Sequence, residues 1–198
     1  MLLVLVATWF KPLWPVEQAM HSSLTVLGLA LLWWQVSKHG MQDGDFFAIM
    51  LFLCVHTIAA RWLYSNVPYD RWWQALFGWS LDHSLGSKRN SFDRLVHFLY
   101  GFCFAMPIMS HLKMFTQWPS KWRGAVAVAA VMVSSLVYEW FEWLVAMTLS
   151  AQDAESYNGQ QGDIWDAHKD MLMATVGSLL AWLLRSMAWW RSAKIAAR

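Results

Sequence analysis

Apolar residues run along this chain in five long blocks, at about residues 20–36, 46–63, 94–112, 124–149 and 170–190, separated by shorter polar connections. Leu, Val, Ala, Met, Phe and Trp dominate each block, and Gly, Pro, Asp or Lys bounds it. A helix needs roughly 20 predominantly apolar residues to cross a bilayer core. The pattern therefore predicts an all-α integral membrane bundle of five or six transmembrane spans, forming a single domain over residues 1–198. The sixth span would be the apolar segment 1–15, which is short and would have to tilt. The longest connection, 64–92, carries Trp72, Trp73, Leu76, Phe77 and Trp79 roughly at i, i+3, i+4 and i+7, with polar residues between them. That spacing predicts a short amphipathic helix lying in the membrane interface. A turn at 66–70 precedes it, and the polar stretch 86–90 reads as a flexible exit.

Composition sharpens the membrane reading. The chain is 58% hydrophobic and 14% charged, against about 45–50% and about 25% for soluble domains. Its 16 Trp residues flank many of the apolar blocks, where an interfacial aromatic belt sits. A net charge of +2 with no dense basic block excludes a nucleic-acid partner and leaves membrane lipids as the surroundings. Cys54 and Cys103 lie inside apolar runs and read as small buried residues, not a disulfide or a metal pair. The basic turn Lys113, Lys121, Arg123 and the tail Arg185, Arg191, Lys194, Arg198 favour a cytoplasmic C-terminus. The predicted location is the bacterial inner membrane, multi-pass.

The polar residues that interrupt these blocks change the picture from scaffold to site. Ionisable groups are costly in lipid and normally face a partner, a cavity or a site. Asp93 and His97 open one span, Glu139 and Glu142 sit inside another, and Asp163, Asp166 and Asp170 lead into the last. Each group has i+3 or i+4 spacing, which places its members on one helix face. If the spans alternate, all three groups and His56 fall in one leaflet, Glu142 about 10 Å and Glu139 about 15 Å below the end of their span at ~1.5 Å per residue. Carboxylates with imidazole are the donor set for Mg²⁺, Mn²⁺ or Zn²⁺, and equally for a general base or a proton relay. The expected roles are Glu142, Asp166 and His97 as metal ligands, Glu139, Asp93 and Asp170 as catalytic groups, and Arg94, Arg89 and His56 as substrate-binding groups. The competing reading is structural: Arg89, Arg94, Arg61 and Lys169 turn inward and neutralise the acids as ion pairs within the bundle. Asp163 also suits a helix cap, and His21 and His111, near span ends, read as interfacial and structural.

The order His56, Val67-Pro68, Asp93-Arg94-x-x-His97-Phe98-x-x-Gly101-Phe102, Tyr138-Glu139-x-x-Glu142-Trp143 and Gly159-x-x-Gly162-Asp163-x-Trp165-Asp166-x-x-x-Asp170-Met171 resembles the YjdF-like bacterial inner-membrane proteins over about residues 50–190. A looser likeness is to VanZ-like membrane proteins, which share an Asp-x-x-x-His span start, a Glu in a later span and an Asp opening the last one. That likeness implies a role at the cell envelope.

Two classes of function fit these residues, besides a purely structural or assembly subunit. The first is a polar site in one leaflet doing metal-assisted chemistry on a lipid or lipid-linked substrate, with the interfacial helix as entry platform. The second is a small proton- or ion-coupled transporter. The absence of an ionisable relay in the other half of the spans counts against transport.

Overall fold

The structure, a computed structural model, describes residues 1–196; Arg198 of the basic tail lies outside them. The described chain is helical, without strands: α1 (Leu2–Thr8), α2 (Pro15–His39), α3 (Asp43–Arg61), α4 (Tyr69–Phe77), α5 (Leu81–Leu85), α6 (Phe92–Phe115), α7 (Ser120–Thr148), α8 (Ala151–Asn158) and α9 (Asp166–Ala196). Four of these, α2, α3, α6 and α7, are long and apolar enough to cross a membrane. The fifth long helix, α9, has 31 residues, about 46 Å at ~1.5 Å per residue. Much of the outward surface is large and apolar, Phe47, Val133, Leu144 and Leu183 among it, as lipid contact requires.

The first segment does not add a span. Helix α1 has seven residues, about 10 Å of rise, and packs on α3. Met1 sulfur lies 3.5 Å from Cys54 Sγ, so α1 runs alongside the second half of α3. Its far end is tied down by polar side chains. Arg61 Nη1 donates to the carbonyls of Thr8 at 2.5 Å and Phe10 at 3.1 Å, and Gln18 Nε2 donates to Thr8 at 3.0 Å. Arg61, a candidate counter-ion on sequence grounds, serves instead as a cap for carbonyls that a helix end leaves unpaired. Pro15 at the start of α2 suits a first helical turn, where no backbone N–H is needed.

Helix α6 is the centre of the bundle, with α9, α3 and α7 packed around it, α7 also against α9, and α2 outside α3. The α6–α9 contact is a backbone-to-backbone approach. A Cβ placed on Gly101 would lie 1.8 Å from the Ala174 carbonyl oxygen, and one on Gly177 would lie 2.1 Å from that of Phe98. Ala105, Ala174, Ser178 and Ala181 flank these glycines and are fully buried. Small residues four apart on both helices allow this approach, which in lipid substitutes dispersion packing for a hydrophobic driving force. It brings the first turn of α6 against the first turn of α9, and so brings their acids together.

The interfacial segment forms as the spacing predicts. Helix α4 exposes Trp72, Leu76 and Phe77. Asp70 then accepts from the Leu81 and Asp82 amides at 2.6 and 3.0 Å and ties α4 to α5. The exit at 86–90 is not a loose tether. Asn90 Nδ2 donates to Val67 O at 2.7 Å, and its amide donates to Gln161 Oε1 at 2.9 Å. These bonds join the connections before α6 and before α9 on one face of the bundle. Both cysteines are free, Cys103 buried and Cys54 partly so.

Polar residues are not confined to that face. At the opposite end, Arg185 on α9 lies 3.8 Å from the buried Asp45 on α3 and donates to Met106 O at 3.0 Å and Ser110 Oγ at 2.8 Å. Between the two polar ends lies a packed apolar layer in which Leu32, Ile49, Phe52, Leu53 and Cys103 are each at most 9% exposed.

Candidate functional site: an acidic cluster over an aromatic cavity

The acids gather where α6, α7 and α9 meet, and they separate into two tiers. The outer tier is an ion-pair network. Asp163 Oδ2 accepts from Arg94 Nη2 at 2.5 Å and from Lys169 Nζ at 2.6 Å, with Arg89 Nη1 at 3.4 Å. Asp166 Oδ1 accepts from Arg89 Nη1 and, at 3.3 Å, from Arg94 Nη2. Asp163 Oδ1 also accepts from the Trp165 amide at 3.1 Å, an Asx turn that starts the chain into α9. Thus Arg89 and Arg94 turn inward, Lys169 reaches Asp163 from a half-exposed position, and Asp166, expected among the metal ligands, is engaged by guanidinium.

This tier carries a pH dependence. The Lys169 ammonium, with the Trp165 amide and the Arg94 guanidinium, holds the Asp163 carboxyl well below the usual carboxylate range. A depressed folded-state value means that the pairing stabilises the fold fully above the unfolded value of ~3.9 and loses that contribution as pH falls below it. Acid titration of unfolding in detergent is expected to show this loss, and Asp163→Asn is expected to flatten it. Removing Arg89 should cost more, up to about 3 kcal/mol at neutral pH, because it leaves the buried Asp166 carboxylate with only the longer 3.3 Å contact to Arg94. Thermal unfolding of Arg89→Ala against Arg89→Lys measures that cost and separates charge from fork geometry.

The inner tier lacks such compensation. Asp93 Oδ1 lies 3.7 Å from His97 Nε2. Asp93, His97 and Asp170 place one donor atom each within 4.8 Å of one another. The nearest cation to Asp170 Oδ1 is Arg94 Nε, at 3.9 Å, beyond hydrogen-bonding distance, and Oδ1 has no hydrogen-bond partner among the described residues. Glu139 is buried, with Oε1 likewise unpartnered, and feels the charges of Asp170, Asp93 and Asp166. Glu142 lies close enough to Glu139, Asp93 and Asp170 to feel their charges. The donor separations suit one small cation: metal–ligand bonds of ~2.1 Å place neighbouring donors roughly 3–3.5 Å apart, which a small side-chain adjustment from the observed spacing reaches.

Below the inner tier is a cavity of about 230 Å³. Asp93, His97 and Glu142 reach its wall, Tyr64, Tyr138 and Tyr157 surround it, and Phe52, Leu53 and Phe104 line its apolar part. His56 lines it too and pairs with Thr25 Oγ1 through Nδ1 at 3.0 Å. Arg89 and Arg94 do not reach it. Burial pushes the Tyr64 hydroxyl well above its ordinary value and, with Glu142 nearby, pushes Tyr157 up to about 12. Both phenols therefore stay neutral in the physiological range.

Several of these residues carry no sequence signal of their own. His21 faces the bundle interior: it is fully buried and stacks on Tyr157, ring centroids 4.3 Å apart and planes 3° from parallel. Tyr157 and Asn158 lie on α8, inside what reads as a polar connection. His111 is the structural residue its position suggests, bonded to Gln35 Nε2 at 3.2 Å.

The family model described as a predicted membrane protein, DUF2238, matches residues 1–191. The chain belongs to the DUF2238 family. Over 133 residues it is 29% identical to inner membrane protein YjdF of Escherichia coli (strain K12), a match covering 66% of this chain and 59% of that protein. The resemblance to YjdF-like proteins drawn from the motif order thus holds. No solved structure matches the chain. With the apolar helices described above, this family places the chain in the bacterial inner membrane as a multi-pass protein.

Proposed function

We propose that this DUF2238 protein holds a divalent cation between Asp93, His97 and Asp170 and uses it on the head group of a lipid or lipid-linked envelope substrate. The observation that carries the reading is the position of the trio. Three donors of ligand type meet beside a cavity that two of them, Asp93 and His97, line and whose far wall is apolar, so one molecule could present a polar group to the ion and a hydrocarbon portion to the bundle. A bound divalent ion would act as a Lewis acid for phosphoryl or acyl chemistry. Asp93 and Asp170 balance the ion's charge, Glu139 beside them serves as general base, and Glu142 faces the cavity. In this assignment Asp93 and Asp170 take ligand roles, while Asp166 keeps its ion pair with Arg89 and fixes the α6–α9 entrance. His56 contributes to the substrate wall, and Arg89 and Arg94 are positioning residues.

Transport is less well supported. The apolar layer of Leu32, Ile49, Phe52, Leu53 and Cys103 separates the acidic cluster from the Asp45–Arg185 pair, and ion passage would need a polar route across it.

Metal titration tests the reading. An ion present at ~100 times its Kd should raise unfolding stability by about 2.7 kcal/mol. Thermal unfolding with Mg²⁺, Mn²⁺ or Zn²⁺, each against EDTA, is expected to show such a rise for at least one ion, and Asp93→Asn is expected to lose it. Identical unfolding under all four conditions would count against the metal.

A further inference from the structure

We infer that the cavity beneath the acidic cluster receives an ammonium group, so that the substrate of the proposed site is an amphiphile with a cationic or zwitterionic head. The inference rests on the proposed site and specifies what enters it.

The first observation is charge. Among the described residues no Lys or Arg lines the cavity, whereas Asp93 and Glu142 do. The guanidiniums of Arg89 and Arg94 stand outside the cavity and pair with Asp163 and Asp166 through Arg89 Nη1 and Arg94 Nη2, while Arg89 Nη2 and Arg94 Nε have no hydrogen-bond partner among the described residues. An anionic head alone would therefore enter a site whose fixed charges repel it. With Asp93 taken up by the proposed ion, Glu142 remains as the carboxylate for an incoming cation.

The second observation is the set of unmet acceptors. Asn158 is 8% exposed and Ser135 is 2% exposed. Both line the cavity, and neither Asn158 Oδ1 nor Ser135 Oγ has a hydrogen-bond partner among the described residues. Asn158 is held in place by its other side-chain atom, Nδ2, which donates to Glu142 O at 3.1 Å. A buried amide oxygen beside a carboxylate calls for a donor or a cation.

The third observation is the wall. Tyr64, Tyr138, Tyr157 and Phe52 surround the space, and aromatic rings around a carboxylate are the surroundings in which alkylammonium groups are stabilised by cation–π attraction. At about 230 Å³ the cavity is smaller than the ~300–1,000 Å³ of drug-sized pockets. It therefore suits a head group, with the remainder of an amphiphile left among the helices or in lipid.

The test uses the full chain in an uncharged maltoside detergent with EDTA present, so that no metal contributes. Decyltrimethylammonium, decylamine and decyl phosphate are titrated and binding is followed by Trp fluorescence and thermal shift. The expected result is saturable binding of at least one ammonium probe, at least ~10-fold tighter than decyl phosphate. Glu142→Gln should remove most of that preference. Should Glu142→Gln fail to fold, Asn158→Leu serves in its place, and the comparison of probes on the unaltered chain decides by itself. Equal binding of the phosphate and ammonium probes, or no saturable binding of either ammonium, would overturn the inference. If metal stabilises the protein while the ammonium probes fail, the metal site stands and the head-group assignment falls. If the ammonium probes bind while no metal does, the reverse holds.

Discussion

Gly177→Leu is expected to abolish the folded bundle, and Gly177→Ala to cost about 3 kcal/mol or more, the upper range for overpacking a filled core. The reason is the identity of the atoms in the way. A Cβ on Gly177 would meet the Phe98 carbonyl oxygen at 2.1 Å, with the Phe102 amide nitrogen at 2.9 Å. Backbone atoms cannot rotate aside as a side chain can, so α9 must move off α6. That movement would also pull the first turns of the two helices apart and separate Asp93 and His97 from Asp170. Loss of stability and loss of metal binding should therefore appear together. Gly44 is the control: it is helical and exposed, and a Cβ there meets nothing within 4 Å. Gly44→Ala should be neutral or slightly stabilising, by up to ~1 kcal/mol. Size-exclusion chromatography and thermal unfolding in detergent read both variants. A Gly177→Leu protein with wild-type behaviour would show that the α6–α9 approach does not hold the bundle.

Glu139→Gln is expected to do the opposite in chelated protein and raise its stability by about 1–2 kcal/mol, part of the several kcal/mol that an uncompensated buried charge costs. Glu139 is buried and the groups acting on it, Asp170, Asp93 and Asp166, are all carboxyls. Exchanging it for a neutral isostere removes repulsion and breaks no bond at Oε1. With saturating divalent ion the advantage should shrink or reverse, because the ion uses the negative charge that the substitution deletes. His97→Ala should lower metal affinity by more than ~10–100-fold, the range that loss of outer-shell partners alone reaches. Parallel unfolding of wild type and Glu139→Gln, with EDTA and with Mn²⁺, measures the crossover. A drop in stability under EDTA would instead make Glu139 a structural partner and leave the inner tier without its unmatched charge.

The spans and the polar cluster were legible because both rest on strong local contrasts. An acid inside an apolar run is conspicuous, and i+3 or i+4 spacing assigns it a helix face, so Asp93, His97, Glu139, Glu142 and Asp170 could be brought together from sequence. The division of the acids could not. Whether Asp166 faces a metal or Arg89 depends on how 86–90 folds back, and that is set by Asn90 bonding Val67 and Gln161, contacts between segments far apart in sequence. The same limit hid Tyr157 and Asn158, whose segment has no apolar period strong enough to mark a helix against a cavity. Segment 1–15 reads from composition as a short span. It is apolar enough for a membrane, but Arg61 and Gln18 capture its carbonyls and end α1 after seven residues, about two turns at 3.6 residues each. Arg185 reads as one more basic residue of a cytoplasmic tail, and only the packing of α9 on α6 reveals its contact with Asp45.

The most direct test of the account is the metal content of the protein itself. Wild type and His97→Ala, purified without chelator and dialysed against equal low micromolar Mg²⁺, Mn²⁺ and Zn²⁺, would be compared by elemental analysis. The account predicts about one divalent ion per wild-type chain, removable by EDTA, and little in His97→Ala, since metal sites require their full ligand set. Wild-type protein that is folded yet free of all three metals, or His97→Ala that retains as much as wild type, would contradict it.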